Sequence, residues 1–411
     1  MTSSERPVAT IVSKQRLLGS TNGSSTYLLS IARSIEQAGY EIHLIQPSPA
    51  IAGRTPLMRF LPEMRVFAEH KIRGAVKTGS RALFLSPKVW TGFMGGAARL
   101  LLRKIGIRGS LVADRKAPYA VASDWSSEDI AFLASAISPR TRLIVADYIF
   151  CAPAFEFGPP DVSRATVMHD LFHSRAGGGA DSVAIISRER EIALLAEADA
   201  IFAIQEAEAA FCRETVPDTE TVLVPMPAEP VERVQEGSDD LVLFVGSDTA
   251  PNIVGLEWFL DSVWPHVRTK RPDCRLKIAG TVHRAFAGRA WDGVDFLGLV
   301  DDLGALYTEC GVVISPLTFG SGLKIKLVEA LARGKAVIAT SVTLQGVEDI
   351  CRDAVIQTDD ATIFADALVD LAGSSHSRRD LAQRALTCAQ RNFSPDTTHR
   401  DLRNWCEKAR A

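Results

Sequence analysis

Two lysines and a glutamate, Lys324, Lys326 and Glu329, follow a glycine-bearing loop, Phe319-Gly320-Ser321-Gly322-Leu323, an order of residue types suited to a phosphorylated ligand. Gly320 and Gly322 let a backbone approach a ligand closely. The helix that the pattern predicts over Gly322–Arg333 turns its free N–H groups and positive dipole end toward the same point. That dipole end contributes about 0.3–1 kcal/mol, so a tight diphosphate site also needs fixed cations, which Lys324 and Lys326 supply. Lys326 and Glu329 stand three apart on one helical face. There the carboxylate can accept from vicinal ribose hydroxyls, at roughly 1.5–3 kcal/mol per charge-assisted bond, or pair with Lys326 at the surface for about a few tenths of a kcal/mol. Spacing leaves both readings open.

His169 and Asp170 end a predicted strand and set an imidazole beside a carboxylate able to fix its tautomer. His173 and Arg175 follow, then a loop at Gly177–Gly179, and a strand-end turn is the plain alternative. Gly19-Ser-Thr-Asn-Gly-Ser-Ser25 places Gly23 and Ser24 between the first strand and the first long helix, where Ser24 or Ser25 also suits a helix cap. The stretch lacks G-x-G-x-x-G, and the second strand ends at Gln46 rather than an acid, which argues against a nicotinamide enzyme.

The elements that must position these groups alternate strand and helix, with strands short and apolar enough to be buried on both faces of parallel sheets. Strands are expected at Val8–Val12, Glu41–Gln46, Arg142–Asp147, Ala165–Met168 and Ala200–Ala203, with a helix over Ser24–Gln37. A Pro-rich, acidic stretch, 216–240, is the expected linker. Beyond it strands are expected at Leu241–Val245, Arg275–Ala279, Val312–Ser315, Ala336–Thr340 and Ala354–Gln357, and helices at Pro251–Trp264, Asp302–Glu309, Gly322–Arg333 and Asp360–Leu371. The domains are then 1–215, with a basic apolar insertion at about 54–116, and 241–390, with a final helix in 391–411 packing back toward the first lobe. The fold class is α/β, two doubly wound Rossmann-like lobes facing each other across a cleft.

Several stretches in order resemble the donor-side signature of group 1, family-4-like GT-B glycosyltransferases. They are Phe244-Val245-Gly246-Ser247 with Pro251-Asn252, Ile278-Ala279-Gly280, Asp295–Gly298, the Val312–Pro316 strand, Glu329-Ala330-Leu331-Ala332-Arg333-Gly334 and Val337–Thr340. Many members carry a second glutamate eight residues before the first motif residue, where this chain has Ser321, so the likeness is to the branch written G-x-G-x-K-x-K-x-x-E. The resemblance implies that Gly246, Ser247, Asn252, Ser321, Gly322 and Leu323 line the donor diphosphate or sugar, and that Gly280 with Gly298, Leu299 and Val300 forms the nucleobase pocket. Capping is an equal reading of Asn252 beside Pro251. The first loop, Gly246-Ser247-Asp248-Thr249, lacks the family's cations, which makes Lys324 and Lys326 the natural substitutes. His169-Asp170 looks like the family's H-D segment near the transferred sugar, and Gly23 and Ser24 fall where the family places a loop near phosphate and acceptor.

A 411-residue chain with 46% apolar and 23% charged residues can bury two cores, and seven single cysteines form no metal motif. No secretory leader or membrane span is legible, which points to the cytoplasm. Arg59 to Arg108 holds eleven Lys/Arg against Glu63 and Glu69, +9 of a chain whose total is −3. Those bases alternate with Leu, Phe and Trp, so an anionic membrane surface is an expected partner through 54–108, with a peripheral position on its inner face; a solvated insertion is the bland alternative. Nucleic acid is not expected as a partner. The function that follows is transfer of a sugar from a nucleotide-diphosphate donor such as a UDP- or GDP-sugar to a glycan, lipid-linked or other acceptor, retaining by resemblance, without metal or cofactor. Alternatives are an epimerase or hydrolase of the same fold, or a degenerate scaffold.

Overall fold

The computed structural model describes residues 6–53, 55–105, 120–175, 184, 186–300, 302–320 and 324–410. Contacts divide the chain into two compact units, Met1–Val224 with His399–Ala411, and Pro225–Thr398. The strands of the first are β1 (Val8–Val12), β2 (Glu41–Gln46), β3 (Leu57–Arg59), β4 (Glu69–Ile72), β5 (Ala75–Thr78), β6 (Arg81–Phe84), β7 (Thr141–Asp147), β8 (Ser163–Met168), β9 (Ala200–Ala203) and β10 (Glu220–Leu223). Seven form one parallel sheet, ordered β10-β9-β8-β7-β1-β2-β4. The order reverses between β1 and β7, so the loops leaving those strands diverge and open a crevice at their C-terminal ends.

The second unit adds β11 (Ser238–Val245), β12 (Arg275–Ala279), β13 (Val294–Gly298), β14 (Cys310–Ser315), β15 (Ala336–Ala339) and β16 (Ile356–Gln357). Their parallel sheet runs β13-β12-β11-β14-β15-β16, with its reversal between β11 and β14. The apolar runs are continuous because both faces are covered. Phe244, Ile278, Ile314 and Ile338 enter one core with Leu256, Trp264 and Phe364, whereas Leu243, Ala279, Val313 and Val337 enter the other with Leu327 and Leu331.

The expected linker 216–240 differs from the structure at both ends. Glu220–Leu223 pairs with β9 as an edge strand, and β11 begins at Ser238. An edge strand with one buried residue in four carries little apolar signal. The helix expected at Pro251–Trp264 instead runs as Ala250–Trp258, a π-helical turn at Phe259–Val263 and a further helix Trp264–Lys270. Pro265, which has no N–H to give, stands directly after the irregular turn. The last helix, Arg400–Arg410, counts with the first unit: Trp405 packs edge-on against Phe202, and Tyr40 Oη donates to Cys406 O at 3.1 Å. Preceding it, the helix Ser375–Asn392 has no counterpart in the sequence expectations. Among the described residues no helix is long and apolar enough to cross a membrane.

His70 on β4 is buried, with Nε2 2.8 Å from Gln46 Oε1 and Phe60 edge-on, and burial pushes its pKa down to about 3. An imidazole that stays neutral in the folded state but protonates in the unfolded one is neutral in both states above pH 6.5. Stability therefore falls as pH drops from 6.5 toward 3. Linkage gives a loss of about 2 kcal/mol by pH 5. Denaturant unfolding at pH 7.5 and pH 5 should show that loss in the wild type and not in His70→Phe.

Candidate donor and acceptor sites

In the second unit the glycines after β11, β12 and β13 fit one another. Gly280 N donates to Gly298 O at 2.7 Å, and Gly246 N donates to Ala279 O at 3.0 Å. A Cβ on Gly280, at φ +104°, would stand 2.1 Å from Gly246 O. The side chain is thus excluded by backbone packing at the strand ends. Beside them Leu299 is 72% exposed, Leu297 also reaches solvent, and Val300 packs on the core. His283 Nδ1 donates to Gly280 O at 2.9 Å and closes that edge.

Asn252 caps nothing. Thr249 holds the cap position, and Asn252 Nδ2 donates to Ser247 O, Ser247 Oγ and Thr249 Oγ1 at 3.1, 3.2 and 3.0 Å, cross-bracing the first loop. Asp248 in that loop accepts from Thr281 at 2.9 Å and faces Arg284 at 3.3 Å. Partial burial pulls its carboxyl up, but the Thr281 bond, its own backbone N–H and Arg284 outweigh this and hold it below the usual range. Arg284 thus brings to the first loop a cation that the sequence reading missed, because it comes from the turn after β12.

At the strand-order reversal the loop leaving β14 packs against the helix Ala250–Trp258 that follows this first loop. A Cβ on Gly255 would press on Pro316 O at 2.5 Å, and one on Gly320 would meet Pro251 at 3.3 Å. Thr343 Oγ1 donates to Ser315 O at 2.8 Å, and Thr340 Oγ1 to Leu317 O at 2.5 Å, fixing the loop's start. The candidates Ser321, Gly322 and Leu323 lie outside the described residues. The helix opens at Ile325, so Lys324 is its cap residue rather than part of the first turn. Half burial lowers the Lys324 pKa, and its Nζ lies 3.5 Å from Gly320 O. Lys326 Nζ meets Glu329 Oε2 at 2.6 Å as an ion pair.

In the first unit a polar cluster fills the reversal between β1 and β7. Asp147, the last residue of β7, is fully buried and accepts from Ser13 Oγ at 2.5 Å, Gln15 Nε2 at 2.8 Å and His169 Nε2 at 2.8 Å. His169 is therefore oriented by Asp147 and not by Asp170, whose Oδ1 accepts from Leu171 N at 2.9 Å. Adjacent strand-end residues diverge, whereas the ends of neighbouring strands β7 and β8 converge. Tyr148 stacks on the imidazole at 3.9 Å from a backbone at φ +67°, and Tyr27 meets it edge-on. Ser24 Oγ donates to Gln15 Oε1 at 3.2 Å, so Ser24, Gln15, Asp147 and His169 form one chain. Asn22, rather than Ser24 or Ser25, caps the helix that begins at Gly23. Lys14, fully buried, lies over the Trp125 ring at 4.8 Å and donates to Ser123 O, and burial lowers its pKa.

His173 is held apart from this chain. Buried Glu191 accepts from its Nδ1 at 2.7 Å and from the backbone N–H groups of Phe172 and His173, and the ring stacks on Phe211. Arg175 closes the same short turn; its side chain and the Gly177–Gly179 loop lie outside the described part. Asp147, Gln15, Ser13 and Glu191 were not singled out from sequence. Asp147 was legible as a strand-end acid, but its partners stand about 130 residues earlier and 22 later.

Residues 239–374 match the family model described as Glycosyl transferases group 1. A 164-residue stretch is 27% identical to an uncharacterized 44.6 kDa protein in the cps region of Klebsiella pneumoniae, covering 37% of this chain and 42% of that one. Another of 139 residues is 34% identical to a phosphatidyl-myo-inositol mannosyltransferase of Mycobacterium tuberculosis, covering 31% and 36%. The chain thus matches less than half the length of these relatives. Among solved structures it is similar to TarM of S. aureus (TM-score 0.64, 10% identity, 98% of this chain and 99% of that one). It is also similar to sucrose-phosphate synthase of Thermosynechococcus elongatus (0.61, 15%, 98% and 99%) and to HepE of Anabaena in complex with UDP and glucose (0.61, 13%, 98% and 100%). The fold is GT-B.

Proposed function

We propose, from the premise that residues 239–374 are a group 1 glycosyltransferase domain, that the chain transfers a hexose from a nucleotide-diphosphate sugar to a carbohydrate or lipid-linked acceptor. The observation that carries this is the packing, at the strand-order reversal of the second unit, of the loop that leads toward Lys324, Lys326 and Glu329 against the helix Ala250–Trp258, whose Asn252 braces the first loop. Gly246, Ser247 and the Lys324 turn receive the diphosphate. Glu329 accepts from the ribose hydroxyls, and the apolar edge at Gly298, Leu299 and Val300 with Gly280 takes the base. Lys326, released from Glu329, neutralises the charge that leaves when the bond from the anomeric carbon to the diphosphate breaks and the acceptor oxygen bonds to that carbon, its hydroxyl proton passing to the departing diphosphate. The reading needs no metal, and retention of configuration belongs to it by family likeness.

The first unit serves the acceptor. With Asp147 accepting from Nε2, Nδ1 is the His169 nitrogen turned to other partners. That nitrogen can take a hydrogen bond from a sugar hydroxyl, Ser24 joins it through Gln15 and Asp147 beside Gly23, and His173 and Arg175 enter the reading as secondary acceptor-side candidates. HepE with UDP and glucose supports the donor class, and the mannosyltransferase relative supports a hexose. The test is a screen of UDP-, GDP- and ADP-sugars with mass-spectrometric detection. Release of one nucleoside diphosphate with sugar on an acceptor, or slowly on water, is expected. Release from none, or a sugar changed while still on its nucleotide, counts against transfer.

A further inference from the structure

We infer that one face of the N-terminal unit docks on an anionic lipid bilayer, through the exposed apolar rows of the small β3–β6–β5 sheet and of the helix Pro87–Lys104 that follows it. This does not depend on the nucleotide-sugar reading. In the antiparallel sheet Leu57 and Val76 both pair with Leu83, making one apolar row on its solvent face. Leu85 extends that row and is 60% exposed. The next row on this face sets Arg59 directly opposite Arg81, both exposed, and no ion pair to either occurs among the described residues. Like charges directly opposed are destabilising unless something anionic lies against them.

The helix repeats the pattern. Trp90 Nε1 donates to Phe84 O at 2.9 Å and ties its first turn to the end of β6. Of its eighteen residues only Val89 is buried. At about 100° per residue, Trp90, Phe93, Met94, Ala97 and Leu101 share one arc, and all five are exposed, Met94 at 62% and Leu101 at 65%. The less exposed side carries Val89, Gly95, Gly96, Arg99 and Leu102, so only two of its five members are large apolar residues. The apolar arc therefore turns outward, the reverse of a helix that covers a core.

Charge selects the occupant. Residues 70–105 contain eight Lys/Arg and no Asp or Glu, and Lys104 stands on the apolar arc at its C-terminal end. A second copy would bring the same positive field against this face. A bilayer with anionic headgroups offers apolar depth and negative charge together.

The test is co-sedimentation of the full chain with vesicles of phosphatidylcholine alone and of equal parts phosphatidylcholine and phosphatidylglycerol. Binding to the mixed vesicles, weakened by salt, is expected, and none to the neutral ones. Met94→Ser with Leu101→Ser changes only exposed side chains, so its melting temperature should hold while vesicle affinity falls at least tenfold. Arg59→Gln with Arg81→Gln should weaken it roughly thirtyfold at low salt. No binding to the mixed vesicles, or binding unchanged in both variants, overturns the proposal. So does sedimentation equilibrium showing a dimer that the Met94/Leu101 variant dissolves while wild type ignores lipid.

Discussion

Asp147→Asn should lower turnover by about 10²- to 10⁴-fold while leaving nucleotide binding by the second unit unchanged, because it removes the charge that fixes the His169 tautomer and sets an NH2 donor among three donors. Asp147→Ala goes further. Ser13, Gln15 and His169 would each lose a buried acceptor, and stability should drop by about 3–5 kcal/mol, read from denaturant midpoints. Asp170→Asn has no such effect on the ring, since its carboxylate serves Leu171 N instead. Turnover within a few-fold of wild type in Asp147→Asn would show that the orientation of His169 is not used.

Glu329→Ala carries the second large effect. Its carboxylate is bound to Lys326, an exposed i,i+3 pair worth only about 0.5 kcal/mol to the fold. Stability should therefore barely change. Nucleotide affinity should fall on the order of thirtyfold, since bonds from ribose hydroxyls to a carboxylate contribute about 2 kcal/mol. Unchanged affinity would leave Lys326 and Glu329 as a surface pair and nothing more.

The strand–helix alternation was legible because parallel strands buried on both faces leave continuous apolar runs such as Ala200–Ala203 and Ala336–Ala339, each fully buried. Strands at sheet edges left no such trace: β10 was read as linker, and β4, with charged residues on its outer positions, went unread. The local part of the candidate donor site is a sequence reading because it is local, since Lys324, Lys326 and Glu329 lie within one turn and a half of chain. Asn252 shows the limit. Its type and place near Pro251 suited a cap, and only the folded loop reveals that its amide braces Ser247 and Thr249. The His169 partner is a long-range matter in the same way, set by which strands are neighbours rather than which residues are.

The basic stretch 54–108 shows a further limit. Composition gave its sign, but the outward turn of the apolar arc of Pro87–Lys104 and the opposition of Arg59 to Arg81 depend on register and rotation, which periodicity alone does not orient.

Calorimetric titration of the intact chain with UDP, GDP and ADP, beside a variant carrying Lys324→Ala and Lys326→Ala, tests the account most directly. One of the three nucleotides should bind the wild type, and the double variant should hold it roughly a hundredfold more weakly. Binding of none, or equal binding by both proteins, would contradict it.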